Sequence, residues 1–138
     1  MVNKNVLERK IEFIDKHLAR LEQYRKVSLN AMLGDQAMQD IVEYNLFQAI
    51  NHLIALIEHI VVDEGYGMPQ SAYEGAALLK AKNIFTANDC DVLQKMIGFR
   101  NVIGHDYIHL DKKIVFKVLN KGIKDIRRIA MKLMKKFR

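Results

Sequence analysis

The segment Phe99–His109, FRNVIGHDYIH, gathers a guanidinium (Arg100), a carboxamide (Asn101), an imidazole (His105) and a phenol (Tyr107) within eight residues. A guanidinium holds phosphate oxygens through paired hydrogen bonds and keeps its charge at any working pH. An imidazole near neutrality can take a proton in one step and return it in another. Together they suit cleavage of a phosphodiester by the 2′-hydroxyl of RNA itself. The histidine would move protons and the arginine would stabilise the extra negative charge on the pentavalent phosphorus, with no metal required. By spacing alone, the same two residues also fit a bland reading: an Arg paired with an acidic neighbour and a His that caps a helix.

On a helix turning about 100° per residue, Arg100, Gly104 and Tyr107 share one face, and Asn101 and His105 share the adjacent one. Arg100 and His105, five residues apart, then lie about 140° apart. They converge if the helix ends or bends near Gly104. They also converge if a two-fold axis brings a second copy alongside, which would place two arginines and two histidines in one cleft.

The elements that must carry this segment read as helices. From Val6 to about Met32, Leu7, Ile11, Ile14, Leu18 and Leu21 recur at spacings of four and three, the stripe of an amphipathic helix. Gly34 reads as its stop and Asp35 as the next cap. A second helix runs from about Gln36 to Asp63, and its later half, LFQAINHLIALIEHIVV, is apolar on nearly all sides. Such a helix must be covered on more than one face, either as a fully central helix or with the help of a second copy, and we expect a homodimer.

Gly65–Ser71, with two glycines and the single proline, is a loop. Ser71 with Glu74 forms a capping-box pattern for a short helix through about Lys82. Thr86 or Asn88 caps the next helix, with Asp89 and Asp91 in its first turn, and Val92, Leu93, Met96, Ile97 and Phe99 lead to the reactive segment. Asp111 opens the last helix, striped with Val115, Leu119, Ile126, Ile129, Leu133 and Phe137. No segment alternates as a strand would. The expected fold class is all-α: one domain over residues 1–138, an antiparallel helical bundle of about five helices.

Composition bounds the function classes. Of 138 residues, 50% are hydrophobic and 28% charged, which excludes disorder. Cys90 is the one cysteine, so neither a disulfide framework nor a Cys-rich zinc site is available. The longest uninterrupted apolar run is Leu53–Ile57, and the charged N-terminus lacks the apolar core of a signal peptide, so the expectation is a cytoplasmic protein with no membrane span. The net charge of +6 is uneven: residues 111–138 carry +9 and residues 1–110 carry −3. That split suggests a localised anionic partner, with Lys112, Lys113, Lys117, Arg127 and Arg128 as candidate RNA contacts, against the alternative of a solvated helix face.

Other constellations carry less. His105 and His109, with Asp106 and Asp111 nearby, would make half a metal site on a continuous helix, but no further ligand cluster accompanies them, and no metal or cofactor is expected. His52 and His59 share a face of the second helix, with Asp63 four residues beyond, as core or interface histidines do. Gly65 and Gly67 are not followed by the GK[ST] of a phosphate-binding loop. Cys90, in a first helical turn with no visible partner, reads as structural.

The reactive stretch resembles the signature of the HEPN superfamily, an Arg followed four to six residues later by His. It is most similar to the HepT branch, whose motif is Arg, four residues, His, one residue, Tyr. Here these are Arg100, NVIG, His105, Asp106 and Tyr107, without departure, and Asn101 fills the polar place usual after the Arg. The likeness extends through INHLIALIEHIVVDEGYGMPQSAYEGAALLKAKNIF and KMIGFRNVIGHDY, from about Tyr44 to Asp111. The first helix and the basic last helix match only in kind.

The resemblance implies a HEPN-like homodimeric bundle with metal-independent endoribonuclease activity in a cleft at the dimer interface, acting as the toxin of a type VII-like toxin–antitoxin pair. It assigns catalysis to Arg100 and His105, support to Asn101, and AMP acceptance to Tyr107. It also implies a partner, a minimal nucleotidyltransferase antitoxin of the MntA type, which silences the toxin by transferring AMP. The alternative in the same superfamily is a non-catalytic adaptor that binds a nucleotidyltransferase or a nucleotide.

Overall fold

The computed structural model describes residues 1–106 and 110–138, and the backbone within them forms helices and no strand. The helices are α1 (Lys4–Glu22), α2 (Leu29–Leu33), α3 (Gln36–Asp63), α4 (Ala72–Ala81), α5 (Ala87–Asp106) and α6 (Lys112–Phe137). The all-α expectation holds.

The single first helix expected over Val6–Met32 is two helices. The apolar stripe of α1 ends at Leu21, and of the following Glu22–Lys26 only Tyr24 packs against the core, too little to keep the run helical. Ser28 then restarts the chain, its Oγ accepting from the Ala31 N–H at 3.1 Å as the N-cap of α2.

Elsewhere the local signals act where they stand. Asp35 caps α3 through the Met38 N–H at 3.0 Å. Ser71 Oγ accepts from Glu74 N at 3.1 Å, while the Glu74 carboxylate accepts from Gln70 N, one residue before the cap. At α5 the cap is Thr86. Its Oγ1 accepts from Asp89 N at 3.1 Å, and Asp89 Oδ2 accepts from Thr86 N at 2.9 Å. Asp111 accepts from Lys113 N at the start of α6.

The core is built around α3, which packs against α1, α4, α5 and α6. α1 runs antiparallel to it: Asn3 N donates to Asp63 Oδ2 at one end, and His17 meets Asn45 at 2.9 Å towards the other. Leu7, Ile14, Leu18 and Leu21 of α1 and Leu46, Ile50, Leu53, Leu56 and Ile60 of α3 are fully buried between the helices. Each such side chain stabilises the fold by about 1.5–3 kcal/mol relative to exposure.

By length and composition α3 could cross a membrane, which its short uninterrupted apolar runs did not suggest, and more than half of that stretch is buried inside the bundle. The fold does not cover α3 completely. A stripe of Ile41, Tyr44, His52, Ala55, His59 and Val62 stays half-buried or exposed along one side.

Candidate functional site

α5 carries Arg100, Asn101 and His105 and stays helical through Asp106, so the helix does not end at Gly104. On that continuous helix Arg100 and His105 point about 140° apart. Gly104 instead serves a contact: a Cβ there would sit 3.5 Å from the ring of Phe47 on α3. Of the two routes by which arginine and histidine could meet, the early helix end is not taken.

Arg100 is half-buried, and two carboxamides hold its guanidinium. Nε donates to Asn101 Oδ1 at 3.1 Å, and Nη1 donates to Asn51 Oδ1 at 3.2 Å. Asn101 is half-buried beside it, whereas His105 is exposed. Tyr107 and His109 lie outside the described residues. Among the described residues no three His, Cys, Asp or Glu side chains cluster as a metal site requires.

Asn51 was not singled out from the sequence. The available signal was a carboxamide inside the apolar run LFQAINHLIAL, four residues after Phe47 and so on the same face of α3. His17 and Asn45 were missed in the same way: each is a buried polar residue whose partner sits on the other helix.

Of the histidines noted on α3, His52 stacks between Phe13 (4.8 Å) and His17 (5.7 Å). Burial pushes its pKa down, helped by the charges of Lys10 and His17. His59 Nε2 stands 3.0 Å from Asp63 Oδ2, at ion-pair distance but without hydrogen-bond alignment. Cys90 donates weakly to Ala76 O, and burial raises its pKa, the inert setting expected of a structural thiol.

The candidate RNA contacts on α6 divide into two groups. Lys112 pairs with Glu43, a buried carboxylate of α3. Arg127 pairs with Glu22 of α1 at 3.2 Å, and Arg128 with Asp89 of α5 at 2.5 Å. These three cations tie α6 to the bundle. Lys113 and Lys117, with Lys121 and Lys124, are exposed, and no carboxylate pairs with them among the described residues. Lys117 and Lys121 also edge an open groove of about 510 Å³ between α5 and α6, floored by Met96, Phe99 and Ile114.

With this geometry in place, comparison with known proteins is decisive. The family described as Ribonuclease HepT-like matches residues 14–133. The chain belongs to the ribonuclease HepT-like family. It is 35% identical over 91 residues to the mRNA nuclease HepT of Shewanella oneidensis, covering 66% of this chain and 68% of that protein.

A chain of the solved complex of tri-AMPylated Shewanella oneidensis HEPN toxin with MNT antitoxin superposes with a TM-score of 0.86 at 28% identity. That match covers 94% of this chain and 97% of the other. The Bacillus subtilis protein YutE, of unknown function, shares the fold, with a TM-score of 0.81 at 14% identity over 97% and 90% of the two chains. The HEPN-like resemblance carried by Arg100, His105 and the flanking stretches is thus borne out at the level of family and fold. As a HepT-like protein the chain is an enzyme of the ribonuclease class.

Proposed function

We propose that this HepT-like chain is a metal-independent endoribonuclease acting as the toxin of a type VII-like toxin–antitoxin pair in the cytoplasm. The observation that carries the reading is Arg100, whose guanidinium is held in one orientation by two neutral amides on the helix that also presents an exposed His105. Two copies pair across the open stripe of α3 and the adjoining side of α5, so that each cleft draws on two Arg100 and two His105 side chains.

One imidazole takes the proton of the RNA 2′-hydroxyl, and the 2′-oxygen attacks phosphorus. Arg100 stabilises the added negative charge, and the 5′-oxygen leaves with a proton from the second imidazole, giving a 2′,3′-cyclic phosphate. Asn101 supports Arg100. Lys113 and Lys117 guide RNA phosphates, while Lys112, Arg127 and Arg128 contribute through the ion pairs that fix α6.

The Shewanella toxin described as tri-AMPylated, in complex with its MNT antitoxin, supports a similar partner here. A MntA-like minimal nucleotidyltransferase transfers AMP from ATP to the Tyr107 oxygen, with pyrophosphate leaving, and adds phosphate charge and bulk to the toxin.

The test is RNA cleavage by purified protein in EDTA. The wild type leaves cyclic-phosphate ends, and Arg100→Ala and His105→Ala each lower the rate by roughly 10²–10⁴-fold. Equal inertness of wild type and both variants on diverse RNAs would overturn the nuclease reading in favour of a non-catalytic adaptor.

A further inference from the structure

We infer that Asn51 of α3 is a positioning residue for Arg100, setting the plane of the guanidinium that meets the scissile phosphate. The inference rests on the proposed role of Arg100 and extends it to a residue outside the Arg–His motif.

The register of α3 against α5 is fixed by two contacts one helical turn apart. Phe47 lies against Gly104, and Asn51 meets Arg100, so residues four apart on one helix face residues four apart on its antiparallel neighbour. The Phe47 ring packs beside Gly104, where even a Cβ would sit at ordinary contact distance, and in this register Asn51 Oδ1 stands 3.2 Å from Nη1. Arginine has no acceptor, so the amide must turn its oxygen to the guanidinium. Asn101 Oδ1 takes Nε at 3.1 Å, and neither bond uses Nη2.

The chemistry of the two acceptors matters as much as their geometry. Arg127, Arg128 and Lys132 meet carboxylates, which orient them and also neutralise them. Asn51 and Asn101 orient Arg100 with dipoles and add no negative charge, which keeps the positive charge available to an incoming phosphate. Fixing the plane beforehand lets the planar fork meet two phosphate oxygens without first being ordered by the substrate.

The experiment uses full-length Asn51→Ala and Asn51→Asp with three readouts: thermal melting, the NMR signals of the Arg100 Nη1 protons, and single-turnover cleavage at saturating RNA. In Asn51→Ala the melting temperature stays within a few degrees and the Arg100 Nη1 protons lose their protection from exchange. Cleavage falls roughly 10- to 100-fold while its pH profile keeps its shape. Asn51→Asp retains the protected Nη1 protons, since a carboxylate oxygen still accepts, but binds RNA more weakly because the arginine is now neutralised.

A wild-type rate and signal in Asn51→Ala, or a rate that falls only with the folded fraction, overturns the inference. If the wild type itself cleaves nothing, the nuclease reading fails separately. The Nη1 signals then still decide the positioning contact, upheld by loss of their protection in Asn51→Ala and overturned by its retention.

Discussion

Asp89 and Arg128, 39 residues apart, meet at 2.5 Å where the first turn of α5 lies against α6, and Lys132 reaches the other carboxylate oxygen at the same distance. Asp89 is 1% exposed and also accepts from the Thr86 N–H, so one side chain caps α5 and fastens α6 to it. Burial alone would raise its pKa. The hydrogen bonds from Lys132, from the Thr86 backbone and from Arg128 outweigh that and hold it well below the usual carboxylate range.

A carboxylate with a depressed folded-state pKa contributes stability that is present above its unfolded pKa of about 4 and lost as pH falls through the lower folded value. Asp89→Asn is therefore expected to destabilise the protein by about 1–3 kcal/mol at pH 7, because Arg128 and Lys132 lose their counter-charge while the amide oxygen can still accept from the Thr86 N–H. Urea melts from pH 7 downward should show the difference between wild type and variant shrinking below about pH 4. A difference independent of pH would show that the ion pairs contribute nothing.

Arg100 and His105 diverge on a continuous α5, and the proposed cleft therefore draws on two copies. Arg100→Ala and His105→Ala chains, each inactive alone, should regain part of the wild-type activity when unfolded together and refolded as a mixture, since the mixed cleft keeps one arginine and one of the two histidines. The recovered rate should track the heterodimer fraction seen by native mass spectrometry. No recovery in a mixture that demonstrably contains heterodimer would argue against a shared cleft.

The division among the basic residues of α6 gives a contrast. Replacing Lys113 and Lys117 by Ala should lower RNA affinity and reduce the log–log salt slope by roughly 0.7 for each phosphate no longer neutralised, with little change in melting temperature. Arg127→Ala removes a partly exposed pair with Glu22, so it should alter stability by no more than about 1 kcal/mol and leave the salt slope unchanged. Fluorescence anisotropy across a salt series checks both. A slope unaffected by the double lysine change would remove α6 from the RNA surface.

Incubation with a MntA-like nucleotidyltransferase and ATP should add one or more adenylyl masses to the wild type and abolish RNA cleavage. Tyr107→Phe should gain none and stay active in the presence of the partner. Silencing of Tyr107→Phe without any mass change would indicate that the partner acts by masking the site.

The sequence by itself determined what depends on neighbours within about one helical turn. The capping residues Asp35, Ser71, Thr86 and Asp111 and the stripe of α6 are interactions of that range, and the structure uses each of them. The Arg100–His105 spacing is local too, which is why the family signature was readable. The break between α1 and α2 was also in the sequence, in the end of the stripe at Leu21 and the cap at Ser28, although periodicity alone ran past it.

Tertiary structure decided which polar groups meet. Asn51 reaches Arg100 across 49 residues, Glu43 reaches Lys112 across 69, and Asp89 takes up two of the cations that had made α6 look like a uniform basic face. Such pairs follow from the crossing and register of whole helices, fixed by contacts such as Phe47 on Gly104. Many sequences could satisfy the same helical periodicity while sliding these partners past one another, so the pairings exist only once the core has chosen one packing.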